Sequence, residues 1–432
     1  MKPFNKIFRI VSGSEIARNI STLISGAVIA QLIPIALQPL LRRYYSPETF
    51  GAYAVYLSLV GILIIISSFK YELAIILPKK DKEAANVLIL SQSLNLIFNV
   101  LVLLIIIFFN RPILKFLNLP EKYTLFIFLV PLGTFLYNFY QSINFWLIRQ
   151  KAIFSVSLNK FVRRGFEGCS QVLFIVFGKT SGLLWGDLIG HGSNIISGLF
   201  QAFRKQFRFE EFSINKLKYV ARKYIEYPKY NLLTSFMSSC SYLLPMILIN
   251  KFYSTQNAGY FDLSKLLLSV PFAIIAGSIS NVLLQRTSEK FKKKNSFRKE
   301  VSSLFLGVLV IALLEIIVIT FFGVRLFQLV FGQEWTVSGK ISVILVWSYA
   351  LNFITSSFSS LFISLEKIKQ LSLWQLIYFI LILSLVLFKN LSYLDFLKVY
   401  VVIEVFCYMF YLILLFSTIK NYEISIREKV SL

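Results

Sequence analysis

The places where this sequence could do chemistry are ionisable residues standing inside long apolar runs. At the centre of a bilayer such a group costs about 2.5–3.5 kcal/mol on insertion scales, so each is a candidate functional site. Asp187 and His191 stand four residues apart within the apolar run 180–203. That spacing puts them on one helical face, where they can act as a proton-responsive pair or as a hydrogen-bonded link between helices. Glu315 lies deep in the run 301–324 and Glu404 about one turn inside 399–419. Either carboxyl could take a coupling sodium ion or proton, and Glu315 is the deeper of the two. Lys265 lies six residues beyond Gly259. Its ammonium could attract a phosphate or acidic sugar, or it could snorkel outward beside Asp262 at i,i+3. Arg18, Arg149, Arg163 and Arg164 stand at ends of apolar runs, where they can anchor helices or contact an anionic substrate. The Lys292-Lys293-Lys294 run reads as a topological determinant or a lipid-headgroup contact.

Other chemistries are excluded by what the chain lacks. His191 is the one histidine, and Cys169, Cys240 and Cys407 lie far apart without a CxxC spacing. A multi-histidine or cysteine metal site is therefore not expected, nor is a Ser-His-Asp hydrolase. No GxxxxGK[ST] loop for ATP occurs, and no cofactor is expected beyond a coupling ion. Of 432 residues, 56% are apolar and 15% charged, against about 25% charged in a soluble domain. The net charge of +24 points to positively charged membrane loops rather than nucleic acid, since no basic stretch is interleaved with stacking aromatics.

These candidates must be positioned by membrane helices, each needing about 20 apolar residues. Eight uncharged runs qualify: 19–41, 50–69, 84–109, 123–148, 230–250, 266–285, 341–365 and 370–388. Three more carry isolated charges, at 180–203, 301–324 and 399–419, and a twelfth, 163–178, is required by topology. With twelve spans, 33 Lys and Arg fall on the side of the N-terminus and 10 on the other. The positive-inside rule then places both termini in the cytoplasm. The expected fold is an all-α polytopic membrane protein with twelve transmembrane helices in two pseudo-symmetric six-helix lobes. The lobes occupy 1–203 and 230–419, joined by a basic cytoplasmic linker at 204–229 and followed by a tail at 420–432. That linker is the longest loop, so no soluble catalytic domain is present. A repeat marks the two halves: Tyr45-Ser46-x4-Gly51 returns as Tyr253-Ser254-x4-Gly259, a parallel duplication suited to alternating access. Gly182, Gly186 and Gly190 make a stripe where a neighbouring helix can approach closely. Prolines 34, 39, 131, 245 and 271 fall inside runs and are expected to bend them.

Several segments resemble one family. Arg43-Tyr44-Tyr45-Ser46-Pro47-Glu48-Thr49-Phe50-Gly51-Ala52-Tyr53 resembles the first inter-helix loop of polysaccharide flippases, and Tyr71-Glu72-Leu73-Ala74-Ile75-Ile76-Leu77-Pro78 the segment after their second helix. Gly182-Leu183-Leu184-x-Gly186, Gly259-Tyr260-Phe261 followed by Lys265 and Pro271, and Phe331-Gly332-Gln333-Glu334-Trp335 follow in order. The chain is thereby identified as similar to the Wzx-type O-antigen and lipid-linked oligosaccharide flippases of the multidrug/oligosaccharidyl-lipid/polysaccharide exporter superfamily. The resemblance implies a central cavity lined by the first, second, seventh and eighth helices. It implies transfer of a polyprenyl-pyrophosphate-linked oligosaccharide across the bacterial cytoplasmic (inner) membrane for surface polysaccharide assembly. Lys265 matches a basic cavity position of the family, whereas its counterpart in the first repeat is Leu57. Membrane lipids and the polysaccharide polymerase machinery are the further partners implied, with no nucleic acid. An ion-coupled drug/cation antiporter of the same superfamily is the alternative.

Overall fold

Residues 15–205, 207 and 213–430 are described in the computed structural model, the side chains of 15–29 and 427–430 excepted. The chain is 89% helical, and the described residues contain no strand. This follows from the solvent: within lipid the backbone must satisfy its own hydrogen bonds, and a helix does so inside one segment. Two compact units result, Met1–Ser239 and Cys240–Leu432.

The first unit contains α1 (Glu15–Tyr44), α2 (Pro47–Ser67), α3 (Asp81–Leu117), the short α4 (Thr124–Phe128), α5 (Val130–Arg149), α6 (Ile153–Val176), α7 (Gly182–Arg204) and α8 (Ile214–Lys223). α9 (Leu232–Phe252) crosses the boundary between units. The second unit continues with α10 (Thr255–Lys292), α11 (Arg298–Phe331), α12 (Thr336–Ser357), the short α13 (Ser360–Ser364), α14 (Ile368–Leu383) and α15 (Tyr393–Val430). Among the described residues nine helical segments are long and apolar enough to cross a membrane. Three further helices, α1, α6 and α7, have 30, 24 and 23 residues, and the last two carry the charges discussed below.

The helix starts show what the internal repeat does. Ser46 caps α2 by accepting the Thr49 N–H at 3.3 Å, with Pro47 in the first turn. Ser254 caps α10 by accepting the Asn257 N–H at 3.1 Å. Both serines are extended and satisfy an N–H that the first turn leaves unpaired, so the repeated Tyr-Ser pair is a shared device for starting a helix after a tight turn. In α3 the apolar run ends where the helix breaks: Phe109 has non-helical angles, three residues before Pro112. α1 stays helical through Pro34 and Pro39.

Two expected boundaries change. The fifth long helix begins at Ile153 rather than near Arg163, so Arg163, Arg164 and Glu167 lie about three turns inside it. α15 begins at Tyr393, which sets Glu404 about three turns deep instead of one. The causes differ: in α6 Arg163 is satisfied by Asp187 of the next helix, whereas the first turns of α15 carry Asp395 and Lys398 as an exposed i,i+3 pair. The 204–229 segment is not a free tether either. α8 lies on α3, with Val220 buried and the Tyr71 hydroxyl donating to the Ala221 carbonyl at 2.9 Å. Lys223 and Tyr224 both reach Glu83, at 2.5 and 2.8 Å, and the bond to Glu83 holds the exposed Lys223 ammonium above the usual lysine range.

Candidate functional site

The glycine stripe of α7 builds the first polar cluster. A Cβ on Gly186 would meet the Gln171 side chain at 2.4 Å and the Glu167 carbonyl at 3.1 Å; one on Gly190 would meet Glu167 Cβ at 2.8 Å and the Arg163 carbonyl at 3.0 Å. Only bare backbone permits this approach of α7 to α6. It sets Asp187 and His191 opposite Arg163 and Glu167. Arg163 Nη2 lies 3.5 Å from Asp187 Oδ1 and its Nε 3.9 Å from Glu167, while Arg164 takes Glu167 at 2.8 Å. His191 Nε2 is 3.5 Å from Asp187 Oδ1, so the i,i+4 pair read from the sequence is in direct contact. Tyr56 of α2 donates to Asp187 Oδ2 at 3.4 Å, and the Tyr137 ring of α5 lies 5.0 Å from His191 and under Arg163 at 5.5 Å. Asp187 and His191 are each 2% exposed. With His191 neutral, two guanidinium groups balance two carboxylates, so a proton entering here changes the charge of a closed set.

Arg149 stands apart from this cluster. Its guanidinium bonds Asp81 at 2.8 Å, the Ile76 carbonyl at 3.2 Å and the Pro78 carbonyl. It ties the end of α5 to the turn before α3. The side chain of Arg18, on α1, lies outside the described residues.

In the second unit the cations and acids meet aromatic rings. Lys265, 8% exposed, donates from Nζ to the Tyr242 carbonyl at 2.6 Å and lies 3.4 Å from the centre of the Tyr242 ring. It points into the unit, not along an outward snorkelling path, and no carboxylate lies within 4.0 Å of it among the described residues. Glu404 accepts from the Tyr378 hydroxyl at 2.9 Å. Tyr378 stacks on Trp374 at 5.2 Å, and Trp374 donates to the Cys407 carbonyl at 2.8 Å. Beyond Lys265 on α10, a cavity of about 280 Å³ opens against α12, lined by Ser269, Phe272, Ser280, Asn281, Asn352 and Ser356 among others. Its lining bears hydroxyls, amides and rings but no ionised group. Glu315, on the face of α11 turned from solvent, is 6% exposed and neither carboxyl oxygen has a hydrogen-bond partner.

The structure therefore gathers Asp187, His191, Arg163 and Arg164 in one unit, and in the other it holds Lys265 on Tyr242, Glu404 on Tyr378 and Glu315 apart from both. The tyrosines that complete both clusters were not singled out from the sequence, although Tyr53 and Tyr56, Tyr137 and Tyr140, and Tyr400, Glu404 and Tyr408 carry the helical spacing that would reveal them. Glu72, inside the short turn Tyr71–Ile76 with no sequence signal of its own, is fully buried and bonded to the Ser68 hydroxyl, which in turn accepts from Asn138 at 2.9 Å.

A family model described as polysaccharide biosynthesis protein matches residues 40–340, which contain both clusters except for α14 and α15. The chain belongs to this polysaccharide biosynthesis family. Among solved structures it is similar to lipid II flippase MurJ in an inward closed conformation, with 14% identity, TM-score 0.72 and coverage of 94% of this chain and 91% of that one. It is similar also to an inward-facing multidrug resistance MATE family transporter of the MOP superfamily, with 16% identity, TM-score 0.71 and coverage of 91% and 95%. An outward-facing MATE family structure aligns at 16% identity and TM-score 0.56, covering 94% and 96%. At these identities the likeness establishes the fold. No curated protein matches the sequence.

Proposed function

We propose that this family member is a flippase that carries a polyprenyl-pyrophosphate-linked oligosaccharide across the cytoplasmic membrane for surface polysaccharide assembly. The observation that carries the reading is the match to a polysaccharide biosynthesis family over residues 40–340 in a chain made almost wholly of helices long enough for a bilayer. Such a chain can contribute to polysaccharide synthesis by moving a precursor. In this reading α1, α6 and α7 join the nine apolar segments as twelve spans, both termini face the cytoplasm, and translocation proceeds by alternating access. O-antigen and capsule precursors share the chemistry required.

Lys265 supplies the counter-charge for pyrophosphate. Its partners are a carbonyl and an aromatic ring, which leave its formal charge uncancelled by any contacting acid. The hydroxyl- and amide-lined cavity next along α10 suits sugar hydroxyls. A headgroup of this kind cannot cross hydrocarbon unassisted, while its polyprenyl tail can stay in lipid. Direction comes from an ion gradient or from consumption of the flipped product. Glu315, Asp187, His191 and Glu404 are the groups assigned to coupling with protons or sodium. The drug/cation antiporter reading is favoured by the tyrosine and tryptophan rings around Glu404, which suit an organic cation, but the buried cation of this unit, Lys265, occupies the Tyr242 ring and would oppose a cationic cargo.

The test is transfer of a polyprenyl-pyrophosphate oligosaccharide between leaflets of liposomes containing the purified protein. Wild type should transfer it, and Lys265→Ala should reduce the rate by at least about tenfold, as expected when a buried charge-assisted contact worth about 1.5–3 kcal/mol is removed. No transfer by folded wild-type protein with several glycans, together with binding of small organic cations, would establish the antiporter instead.

A further inference from the structure

At one end of the second unit, away from Lys265, three segments converge: the end of α10, the turn between α13 and α14, and the end of α15. They enclose a cavity of about 790 Å³, within the range of roughly 300–1,000 Å³ typical of ligand sites. Lys294 and Glu366 sit at the two reversals with left-handed φ of 53° and 57°. There the Asn295 N–H returns to the Lys290 carbonyl at 2.9 Å and the Lys367 N–H to the Phe362 carbonyl at 2.8 Å. Both helix ends thus close on themselves, satisfying carbonyls that the last turn would leave unpaired.

The surrounding lysines are not equivalent. Lys290 pairs with Glu300, and Lys293 with Glu289 at 2.6 Å. Lys292 and Lys294, which line the cavity, have no carboxylate within 4.0 Å among the described residues. Asn295, Ser364 and Ser425 add uncharged polar groups, and Glu366 is the one acid of the lining. Against this basic side stands an apolar wall that includes Phe291 and Ile363, the latter 52% exposed. Unpaired ammonium groups beside hydrocarbon match a ligand that joins phosphate to an apolar body. Basic pockets between helices at the membrane surface bind such headgroups.

We propose that this cavity binds the phosphate headgroup of an anionic membrane lipid, with Lys292 and Lys294 as its counter-charges and Phe291 and Ile363 against its glycerol and upper acyl chain. The site is separate from the Lys265 cluster, and its occupant is a resident lipid whether or not the protein is a flippase.

The experiment places full-length protein in phosphatidylcholine nanodiscs and titrates in cardiolipin, reading bound lipid by native mass spectrometry. Lys292→Ala with Lys294→Ala should weaken binding by about 25-fold, on the order of fivefold for each lysine. Arg298→Ala with Lys299→Ala removes the same charge from positions outside the cavity and should change it less than about twofold, while Glu366→Gln should tighten it. Equal losses in the two double variants, or no loss in the first, would overturn the site. Displacement of cardiolipin by soluble pyrophosphate with the same lysine dependence would overturn the lipid as its ligand.

Discussion

The Asp187 cluster of the first unit and the buried ions of the second handle charge in opposite ways. In the first, Arg163, Arg164, Glu167 and Asp187 form a balanced set held by backbone contact between α6 and α7. In the second, Lys265 rests on a ring and a carbonyl, Glu404 on tyrosine and serine hydroxyls, and Glu315, among the described residues, on nothing polar. A balanced set tolerates burial because each ion meets its counter-ion, but breaking it strands the remainder. A sparse set loses less on truncation and leaves its charges open to a ligand. The set between α6 and α7 therefore holds the structure together around the Asp187–His191 pair assigned to coupling, whereas in the proposed function Lys265 of the second unit is the charge that meets cargo.

The largest expected effect breaks the balanced set. Arg163→Ala should destabilise the protein by about 3–5 kcal/mol, because Asp187 remains buried without its guanidinium; thermal unfolding in detergent checks this. Lys265→Met should lower transfer in liposomes while costing only about 1–2 kcal/mol of stability, for it gives up one ring contact and one hydrogen bond. A Lys265 variant as unstable as the Arg163 variant would erase the contrast between the units.

Glycines sharpen the comparison at a lower level. Gly190→Ala must push α7 from α6 and should cost about 1–3 kcal/mol, whereas Gly277→Ala on α10, where an added Cβ meets nothing within 4 Å, should be neutral or slightly stabilising by the same measurement. The capping serines test what the halves share: Ser46→Ala and Ser254→Ala should each cost about 1 kcal/mol, and a large inequality would mean that the repeat is not used alike. The smallest change in stability is expected for Glu315→Gln, which keeps the shape and breaks no hydrogen bond. Its unfolding temperature should stay near wild type, while the response of transfer to imposed proton or sodium gradients is lost. Retention of that response would remove Glu315 from coupling.

Much of the fold could be read from the residues. The apolar runs mark the long helices, and the Tyr-Ser repeat marks two turns that the structure builds with the same cap. The glycine stripe anticipates the close α6–α7 contact, and the Asp187–His191 spacing anticipates a shared face. The start of α6 is hidden in the sequence because Arg163, Arg164 and Glu167 look incompatible with lipid until Asp187, 34 residues from the helix start, is brought beside them. Arg149 has the sequence signature of any helix-end arginine; its bonds to Asp81 and two loop carbonyls come from a segment roughly seventy residues away and distinguish a structural tie from an open cation. The tyrosines around Asp187 and Glu404 resemble ordinary interface aromatics until their hydroxyls find partners.

What the sequence by itself determined is where the chain is helical and which of its ends carry positive charge. Both follow from local physics: hydrocarbon requires a segment to satisfy its own backbone, and loop charge responds to composition alone. What only the tertiary structure decided is which buried ions are neutralised and which are left to act. That depends on partners from other helices at distances of a few ångströms, where a carboxylate at 2.8 Å from Arg164 and its absence around Glu315 separate structural charge from charge available for function.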